Sequence, residues 1–205
     1  MDSIIYEQQY VHDTYLHIYD RFSQTRYAIW PCVARFISMI PADETILDAG
    51  CGNGKNMIRS NMTGIDMCQH FVDICIKKIL NVSYGDITHI PFPDNTFNNS
   101  MSIAVIHHLS TDDRRRLAIN ELIRVTNING LIFILVWALD VYTKIKQFSN
   151  DNPSKQDVLI PFEKVSRYYH LFVQNELETL LPSNVLIINS FYEKGNYGII
   201  IKKII

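Results

Sequence analysis

A run of glycines placed directly after a buried strand constrains this chain more than any other feature. The run is Asp48-Ala49-Gly50-Cys51-Gly52-Asn53-Gly54, and it follows the mostly apolar stretch Thr45-Ile46-Leu47. The pattern predicts a strand that delivers the glycines to the carboxyl edge of a parallel sheet, where open α/β folds bind ligands. Glycine lets the backbone approach a ligand closely because it has no side chain. We therefore expect a ligand site at this turn.

Helical and extended patterns alternate along the rest of the chain. The patterns predict helices over residues 4–20, Pro31–Ile40, Phe71–Lys78, Asp112–Val125 and Glu163–Leu181, and one that begins at Lys55. They predict strands over Thr45–Asp48, Met62–Asp66, Val82–Tyr84, Phe97–Val105 and Leu131–Ala138, and a closing hairpin over Val185–Tyr192 and Tyr197–Lys202. This alternation is typical of a mostly parallel sheet with helices on both faces. The closing hairpin predicts that the last strand runs antiparallel.

The length of 205 residues fits one domain. We divide it into an N-terminal helical lid (1–40), a ligand-binding core (44–140), a polar loop (141–160) and a segment of substrate-side helices and the hairpin (161–205). A net charge of −2 does not by itself suggest nucleic-acid binding. The four cysteines lack C-x-x-C spacing, so no metal site is expected. No apolar stretch is long enough for a membrane span and no signal peptide is recognisable, so we expect a cytoplasmic protein, with the nucleus left open.

Three acids stand at three successive strand ends, Asp48, Asp66 and Asp86. A dinucleotide site needs a third glycine where Lys55 stands, whereas Asp-x-Gly-x-Gly-x-Gly resembles class I methyltransferases that bind S-adenosylmethionine. One acid near the glycines suits the cationic cofactor, the second suits the ribose hydroxyls and the third suits the adenine amino group. The alternative is that these acids cap helices and form a turn. The expected cofactor-binding residues are Asp48, Gly50, Gly52, Asn53, Gly54, Asp66, Asp86, Ile87 and Ala104.

Several longer blocks make the chain resemble one family, the eukaryotic wobble-uridine tRNA carboxymethyl methyltransferases. The blocks are Phe22-Ser23-Gln24-Thr25-Arg26-Tyr27 with Trp30-Pro31, Ala104-Val105-Ile106-His107-His108, and Arg167-Tyr168-Tyr169-His170-Leu171-Phe172. The resemblance extends over residues 7–202. It implies a Rossmann-like class I methyltransferase fold, with a seven-stranded sheet of order 3-2-1-4-5-7-6.

The resemblance also implies a reaction and a partner. The carboxylate of 5-carboxymethyluridine at position 34 in the tRNA anticodon loop becomes a methyl ester, and S-adenosylmethionine becomes S-adenosylhomocysteine. A small zinc-binding activator subunit completes a heterodimer. A carboxyl group with a pKa of about 4 is already ionised at neutral pH, so we expect no acid–base catalytic residue.

Five residues are expected to position the substrate: Arg26, His107, Trp137, Arg167 and His170. The spacing predicts that Arg167 and His170 share one helix face. We expect the arginines to orient the uridine or its phosphates, because a tight bidentate clamp would damp the attacking oxygen. For each residue a packing or solvated position is the alternative, and Arg114-Arg115-Arg116 is interpreted as a solvated charge run.

The apolar residues around the third strand suggest where the activator binds. In the expected order this strand lies at a sheet edge, and an exposed apolar edge favours pairing with another chain. The expected contacts are Val82, Tyr84, Ile90 and Phe92; the alternative is that residues 88–96 fold over their own edge.

Two other functions stay open at this stage. The same fold could methylate a small molecule such as a quinone or sterol precursor, or it could serve as a non-catalytic binding partner. The complete set of glycines and acids argues against the second.

Overall fold

The computed structural model describes residues 2–140 and 156–205. Its N-terminal helices comprise α1 (Ser3–Glu7), a π-helical turn (Gln8–His12), α2 (Asp13–Gln24) and α3 (Pro31–Met39). The first three run without a break, so helical structure extends four residues beyond the predicted end at residue 20. Pro31 occupies the first turn of α3, where its missing N–H leaves no hydrogen bond unmade.

The main sheet has seven strands in the order β3-β2-β1-β4-β5-β9-β8. The strands are β1 (Ile46–Ala49), β2 (Met62–Asp66), β3 (Val82–Tyr84), β4 (Asn99–Ile103), β5 (Leu131–Trp137), β8 (Val185–Glu193) and β9 (Asn196–Lys203). β9 runs antiparallel to β5, while β1 to β5 are mutually parallel. The predicted fold is confirmed, with β9 and β8 in the places expected for the seventh and sixth strands.

The remaining helices follow the strands. They are α4 (Gln69–Lys77), a 3₁₀ turn (Ile106–His108), α5 (Asp112–Val125) and α6 (Glu176–Thr179). Thr111 caps α5, since its side chain accepts the Arg114 amide. One core packs α5 against one sheet face and the other packs α3 against the opposite face. None of the helices in the described ranges combines the length and apolar character that crossing a bilayer requires.

The helix predicted over 163–181 is wrong. A separate two-stranded hairpin, β6 (Asp157–Phe162) and β7 (Val165–His170), precedes the short α6. Its two-residue turn places Glu163 at φ +54° without the glycine that usually signals such a turn. The last four residues of β7 are all buried, so no period-two alternation reveals the strand. Of the predicted loop 141–160, residues 141–155 lie outside the described residues, and the remainder enters β6.

The helix predicted from Lys55 is also wrong. Twelve residues separate β1 from β2, and they form consecutive turns in which the amide of Gly54 donates to Cys51 and that of Met57 to Gly54. The chain must return along the sheet within this length, which leaves no room for a crossover helix.

The β3 edge is less apolar than the sequence indicates. Ile90 is 2% exposed, so it cannot serve as the expected partner contact. Phe92 packs on the core but is only half-buried, as is Val82, and Tyr84 is 53% exposed. The alternative, that residues 88–96 fold over their own edge, therefore agrees with the burial of Ile90.

Candidate active site

A cleft lies at the carboxyl edge of the sheet, between the glycine turn and the N-terminal helices. Ten of the residues expected to bind cofactor or substrate line it: Arg26, Gly50, Gly52, Asn53, Asp66, Asp86, Ile87, Ala104, His107 and Trp137. Asp48, Gly54, Arg167 and His170 lie outside its lining. These ten predicted residues come from six separate segments of the chain.

Gly50 and Gly52 are needed in the turn for two different reasons. Gly50 has φ +82°, and a Cβ at this position would lie 2.3 Å from Cγ2 of Val105. Gly52 has φ +54°, but a Cβ there would meet nothing within 4 Å. Gly50 thus permits close packing under the turn, whereas Gly52 leaves open space for a ligand beside the backbone.

Asp66 and Asp86 combine structural bonds with a position on the cleft wall. The Asp66 carboxylate accepts the amides of Gly52 and Cys68 at 2.7 and 2.8 Å, and Asp86 accepts the amide of Thr88 at 2.8 Å. Burial raises the pKa of Asp66 to about 6. The turn interpretation therefore holds for Asp86, whereas Asp66 does not cap α4, whose N-cap residue is Cys68. Because a carboxylate oxygen has two lone pairs, each acid can still accept a ligand hydroxyl or amino group.

Asp48 lies behind the turn and is fully buried. Among the described residues, neither of its carboxylate oxygens meets a hydrogen-bond donor with good geometry. Burial, followed by the charge of Asp66, raises its pKa to about 7, while Lys55 and Asn56 oppose the shift. A cationic ligand in front of the turn would offset part of the cost of this buried charge through space. The open space beside Gly52 leaves room for the cationic methionine part of S-adenosylmethionine.

Removing the Asp48 charge should flatten the pH dependence of stability. Its pKa rises from 3.8 unfolded to about 7 folded, so the folded state retains a proton that the unfolded chain has lost. Stability therefore falls as pH rises from about 4 to about 7. We expect Asp48→Asn to raise the free energy of unfolding at pH 7.5 by about 4 kcal/mol and to have little effect at pH 4. Urea unfolding of both chains between pH 4 and pH 7.5 measures this difference in the free energy of unfolding.

The exposed Asp113→Asn serves as the control for that experiment. Its stability profile should run parallel to that of the wild-type chain. Parallel profiles for Asp48→Asn as well would contradict the assignment of the raised pKa to Asp48.

The other residues expected to bind the cofactor shape the glycine turn and the cleft wall. The Asn53 side-chain amide donates to the carbonyls of Arg26 and Ser23, at 2.9 and 3.3 Å, and so ties the N-terminal loop to the glycine turn. A Cβ on Gly54 would meet Leu80 instead of the cleft. Ala104 lines the wall with φ +62°, a conformation unusual for a residue with a side chain and concentrated at functional sites.

Two histidines form the substrate end of the cleft. The Trp137 amide donates to Nδ1 of His107 at 3.1 Å, so the ring proton lies on Nε2. Burial, aided by His108, holds the pKa of His107 well below its usual value. Burial lowers the pKa of His108 to about 3, and both its ring nitrogens are engaged, by the Tyr168 carbonyl and the Tyr15 hydroxyl. His107 is therefore the one with an N–H for a ligand.

Arg167 and His170 do not share a helix face as predicted. Both lie on strand β7, where residues three apart point to opposite sides. His170 is buried between Asp157 and Glu176, at 2.9 and 2.6 Å; burial opposes its charged form, but these hydrogen bonds raise its pKa overall. His170 is thus a structural clamp within the hairpin.

Arg167 is 4% exposed, and within residues 2–140 and 156–205 its Nε and Nη1 have no hydrogen-bond partner. Its guanidinium lies over the rings of Phe162 and Tyr169, at 4.7 and 5.3 Å from their centroids. Tyr169 lines the cleft and stacks on Trp137, with centroids 4.7 Å apart. A buried cation that lacks an acceptor in the described part of the chain therefore lies directly behind the substrate end of the wall.

The predicted solvated charge run is wrong for two of its three residues. Arg114 pairs with the buried Glu7 at 2.8 Å, and both line the cleft. Arg115 is 3% exposed and donates to the Leu109 carbonyl, Asp112 and the Tyr168 hydroxyl. These arginines hold the N-terminal helix and the β6–β7 hairpin in place.

Sequence reasoning missed the N-terminal helical wall and Lys55. The missed lining residues include Glu7, Val11, His12, Tyr15, Lys55 and Tyr169. The helical ones repeat at ordinary amphipathic spacing, which does not distinguish a cleft from a core. In the sequence, Lys55 stands out only because it occupies the position of the third glycine of a dinucleotide site.

Comparison with known proteins agrees with this site. The family of the methyltransferase domain matches residues 47–134. The tRNA (carboxymethyluridine(34)-5-O)-methyltransferase of Schizosaccharomyces pombe is 35% identical over 98% of this chain and 99% of its own length. The protein of the same name, alkbh8, from Xenopus tropicalis is 30% identical over 97% of this chain, which spans 41% of that longer protein.

Solved structures share the fold. An S-adenosylmethionine-dependent methyltransferase from Methanosarcina mazei matches with a TM-score of 0.71 at 19% identity, over 86% of this chain and 99% of that one. A Haloferax volcanii methyltransferase, solved in complex with the Trm112 methyltransferase activator, matches with a TM-score of 0.67 at 11% identity, over 94% and 96%. At these identities the likeness shows the fold alone.

Three findings agree: the 35% identity to the fission yeast protein over almost the whole chain, the match to the methyltransferase domain, and the cleft lined by the glycine turn, Asp66 and Asp86. The chain belongs to the tRNA (carboxymethyluridine(34)-5-O)-methyltransferases, S-adenosylmethionine-dependent enzymes of the class I fold.

Proposed function

We propose that this chain methylates the carboxylate of 5-carboxymethyluridine at tRNA position 34, giving 5-methoxycarbonylmethyluridine. The names of its yeast and frog relatives support this activity. The observation in this chain that carries the proposal is the Arg167 guanidinium, which is buried behind Tyr169 of the cleft wall and whose Nε and Nη1 have no partner among the described residues. An acidic substrate is the ligand that such a cation favours.

The residues at this end suit a reaction that needs no proton transfer. S-adenosylmethionine supplies an electrophilic methyl group on its sulfonium. A carboxylate with a pKa of about 4 is already ionised, so no side chain has to act as a base. His107 and His108, both neutral because they are buried, agree with this requirement. The chain's task is to orient the nucleophile and exclude water.

Two groups can orient the substrate without blocking attack. Arg167 would attract the substrate carboxylate through its positive charge from behind Tyr169, and the Nε2–H of His107 would donate to a base or carboxylate oxygen. Trp137 and Tyr169 offer stacked aromatic surface for the uridine, and base stacking contributes roughly 1–3 kcal/mol.

The experiment that tests the function is methyl transfer from labelled S-adenosylmethionine. We expect label in tRNA that bears 5-carboxymethyluridine, in the presence of an activator subunit, and none in tRNA that lacks the carboxymethyl group. Label in a lipid extract instead of tRNA would favour the small-molecule alternative. Calorimetry that detects no cofactor binding would favour the non-catalytic alternative.

We further propose that a small zinc-binding activator pairs with the β3 edge. The Haloferax methyltransferase of the same fold was solved with the Trm112 activator, which supports a partner of this kind. β3 is an outer strand of the sheet, and Tyr84 exposes half of its surface there. An unpaired edge strand readily accepts a strand from another chain.

A lysine placed on this edge should weaken the partner complex. We expect Tyr84→Lys to raise the activator Kd more than about tenfold, because a charged edge side chain opposes strand pairing, while stability changes by less than about 0.5 kcal/mol. Ile187→Lys, on the exposed opposite edge strand β8, should bind the activator normally. If only Ile187→Lys loses binding, the activator pairs with the β8 edge, and the proposed β3 site is wrong.

A further inference from the structure

Tyr27 is an exposed aromatic residue beside the mouth of the cleft. Its side chain is 84% exposed, more than that of any other tyrosine, phenylalanine or tryptophan in the described part of the chain. It directly follows Arg26, which lines the cleft, in the loop that joins α2 to α3. The side-chain amide of Asn53 holds this loop on the glycine turn through the carbonyls of Arg26 and Ser23. The ring therefore projects into solvent from a backbone that the glycine turn anchors.

Aromatic contacts connect this loop with the substrate end of the cleft. The Arg26 guanidinium lies 5.0 Å from the centroid of the Phe22 ring, and the centroids of Phe22 and Phe162 are 6.5 Å apart. The Arg167 guanidinium, which lies behind the substrate end, is 4.7 Å from the centroid of the same Phe162 ring. The loop that carries Tyr27 thus borders the end of the cleft where the uridine of the proposed function binds.

The charges around this mouth nearly cancel. Arg26 lines the cleft, Arg21 has a 62% exposed side chain near the end of α2, and Lys164 is exposed in the turn of the β6–β7 hairpin. The Nε of Arg21 lies 3.6 Å from a carboxylate oxygen of Glu163, so α2 and the hairpin turn meet here. Asp20 is exposed next to Arg21. Three positive and two negative side chains make the surface only weakly basic, so charge alone would bind a polyanion weakly.

An exposed ring with cations beside it suits single-stranded RNA. Unpaired bases have free faces that stack on aromatic side chains, whereas the bases of a duplex already stack on one another. Positive side chains near the ring attract the phosphates that join the bases. A protein partner would favour apolar neighbours around the ring. The exposed residues at this mouth are mostly charged instead, which favours RNA.

We propose that Tyr27 stacks on a nucleotide adjacent to the methylated uridine, and that Arg21 and Lys164 contact the phosphates on either side of it. The proposal rests on the tRNA substrate of the proposed function and adds the residues that select an unpaired loop. The uridine itself enters the cleft towards Trp137, while the next base stays outside on the Tyr27 ring. Tyr27 is then a positioning residue, because it holds the loop without touching the reacting carboxylate.

Fluorescence anisotropy on the full chain with its activator tests this stacking. The probe is a stem–loop RNA with an unmodified uridine in its loop, and S-adenosylhomocysteine is present at saturation. We expect Tyr27→Ala to raise the Kd for this RNA about 5- to 100-fold, the range that corresponds to one lost base stack. Tyr27→Trp should stay within about twofold of the wild-type Kd, because any aromatic ring can stack. With fully paired duplex RNA, Tyr27→Ala should have no effect.

Two matched controls separate the roles of ring and charge. Ile128→Ala removes a 56% exposed side chain between α5 and β5, at the opposite edge of the sheet, and should keep the wild-type Kd. Arg21→Gln should reduce the slope of log Kd against log salt concentration by about 0.7, the value for one phosphate contact to a single strand. Lys77→Gln, at the exposed end of α4, should leave this slope unchanged. All four variants should bind S-adenosylhomocysteine normally.

Several outcomes would overturn the proposal. They are a wild-type chain that does not bind the stem–loop, a wild-type Kd in Tyr27→Ala, and equal weakening by Tyr27→Ala and Tyr27→Trp. Loss of activator binding in Tyr27→Ala, with RNA binding retained, would make Tyr27 a protein contact. The assay measures binding without methyl transfer. A wild-type chain that binds the stem–loop through Tyr27 but does not methylate tRNA would therefore refute the proposed function alone.

Discussion

Replacing Arg167 with methionine is expected to stabilise the chain while abolishing most of its activity. Arg167 is 4% exposed, and its Nε and Nη1 have no partner among the residues that the structure describes. An apolar side chain of similar volume removes an uncompensated buried charge, so we expect the free energy of unfolding to rise by about 1–3 kcal/mol. The sulfur can still pack on Phe162 and Tyr169. Loss of the positive charge behind the substrate end of the cleft should lower kcat/KM for tRNA by about tenfold or more.

Arg115→Met is the matched control, because Arg115 is equally buried but fully partnered. It donates to the Leu109 carbonyl, to Asp112 and to the Tyr168 hydroxyl. We expect this variant to lose about 2 kcal/mol of stability. Urea unfolding, methylation kinetics and the Kd for S-adenosylhomocysteine separate the two. A destabilised Arg167→Met that retains full kcat/KM would make Arg167 a packing residue and remove the main support for an acidic substrate.

Alanine at Gly50 should disrupt the cofactor site far more than alanine at Gly52. At Gly50 the new Cβ would lie 2.3 Å from Cγ2 of Val105 in a backbone with φ +82°. Strain and overpacking together should lower the free energy of unfolding by about 2–4 kcal/mol and distort the turn. We also expect the Kd for S-adenosylhomocysteine to rise more than about tenfold. A tenfold rise requires only about half of this free-energy penalty to act on cofactor binding.

At Gly52 the same substitution meets open space, so only the left-handed backbone opposes it. We expect a loss of about 1 kcal/mol. Its Cβ would enter the space assigned to the ligand, so cofactor binding should suffer more than stability. Denaturation and calorimetry on the two variants give the comparison. Equal loss of stability in both would contradict the packing of Gly50 against Val105.

The sheet could be predicted from the sequence because its determinants are local. Met62–Asp66 and Val82–Tyr84 are short β-rich segments that end at turn residues, and the structure has both strands with these bounds. The acids at their ends follow from the same logic, since parallel strands bring their carboxyl ends to one edge. For this reason Asp66 and Asp86 reach the cleft as predicted.

Contacts between distant segments could not be predicted in this way. The β6–β7 hairpin has a turn without glycine and a buried second strand, so its pattern resembles a helix. Arg114 and Arg115 are charged and would be expected at the surface. They are largely buried because the fold supplies acceptors for them, Glu7 for Arg114 and the Leu109 carbonyl for Arg115. The surroundings of Arg167 and Lys55 depend on which acceptor groups the fold brings near them. The spacing of residues along the sequence does not contain this information.

The fate of the methyl group tests the central claim most directly. The full chain with its activator would transfer labelled methyl from S-adenosylmethionine to tRNA bearing 5-carboxymethyluridine, and the tRNA would then be treated with mild alkali. Methylation of a carboxylate gives an ester, so the account predicts that alkali releases the label as volatile methanol. Label that stays in the tRNA through this treatment, bound to nitrogen, carbon or ribose oxygen, would contradict it.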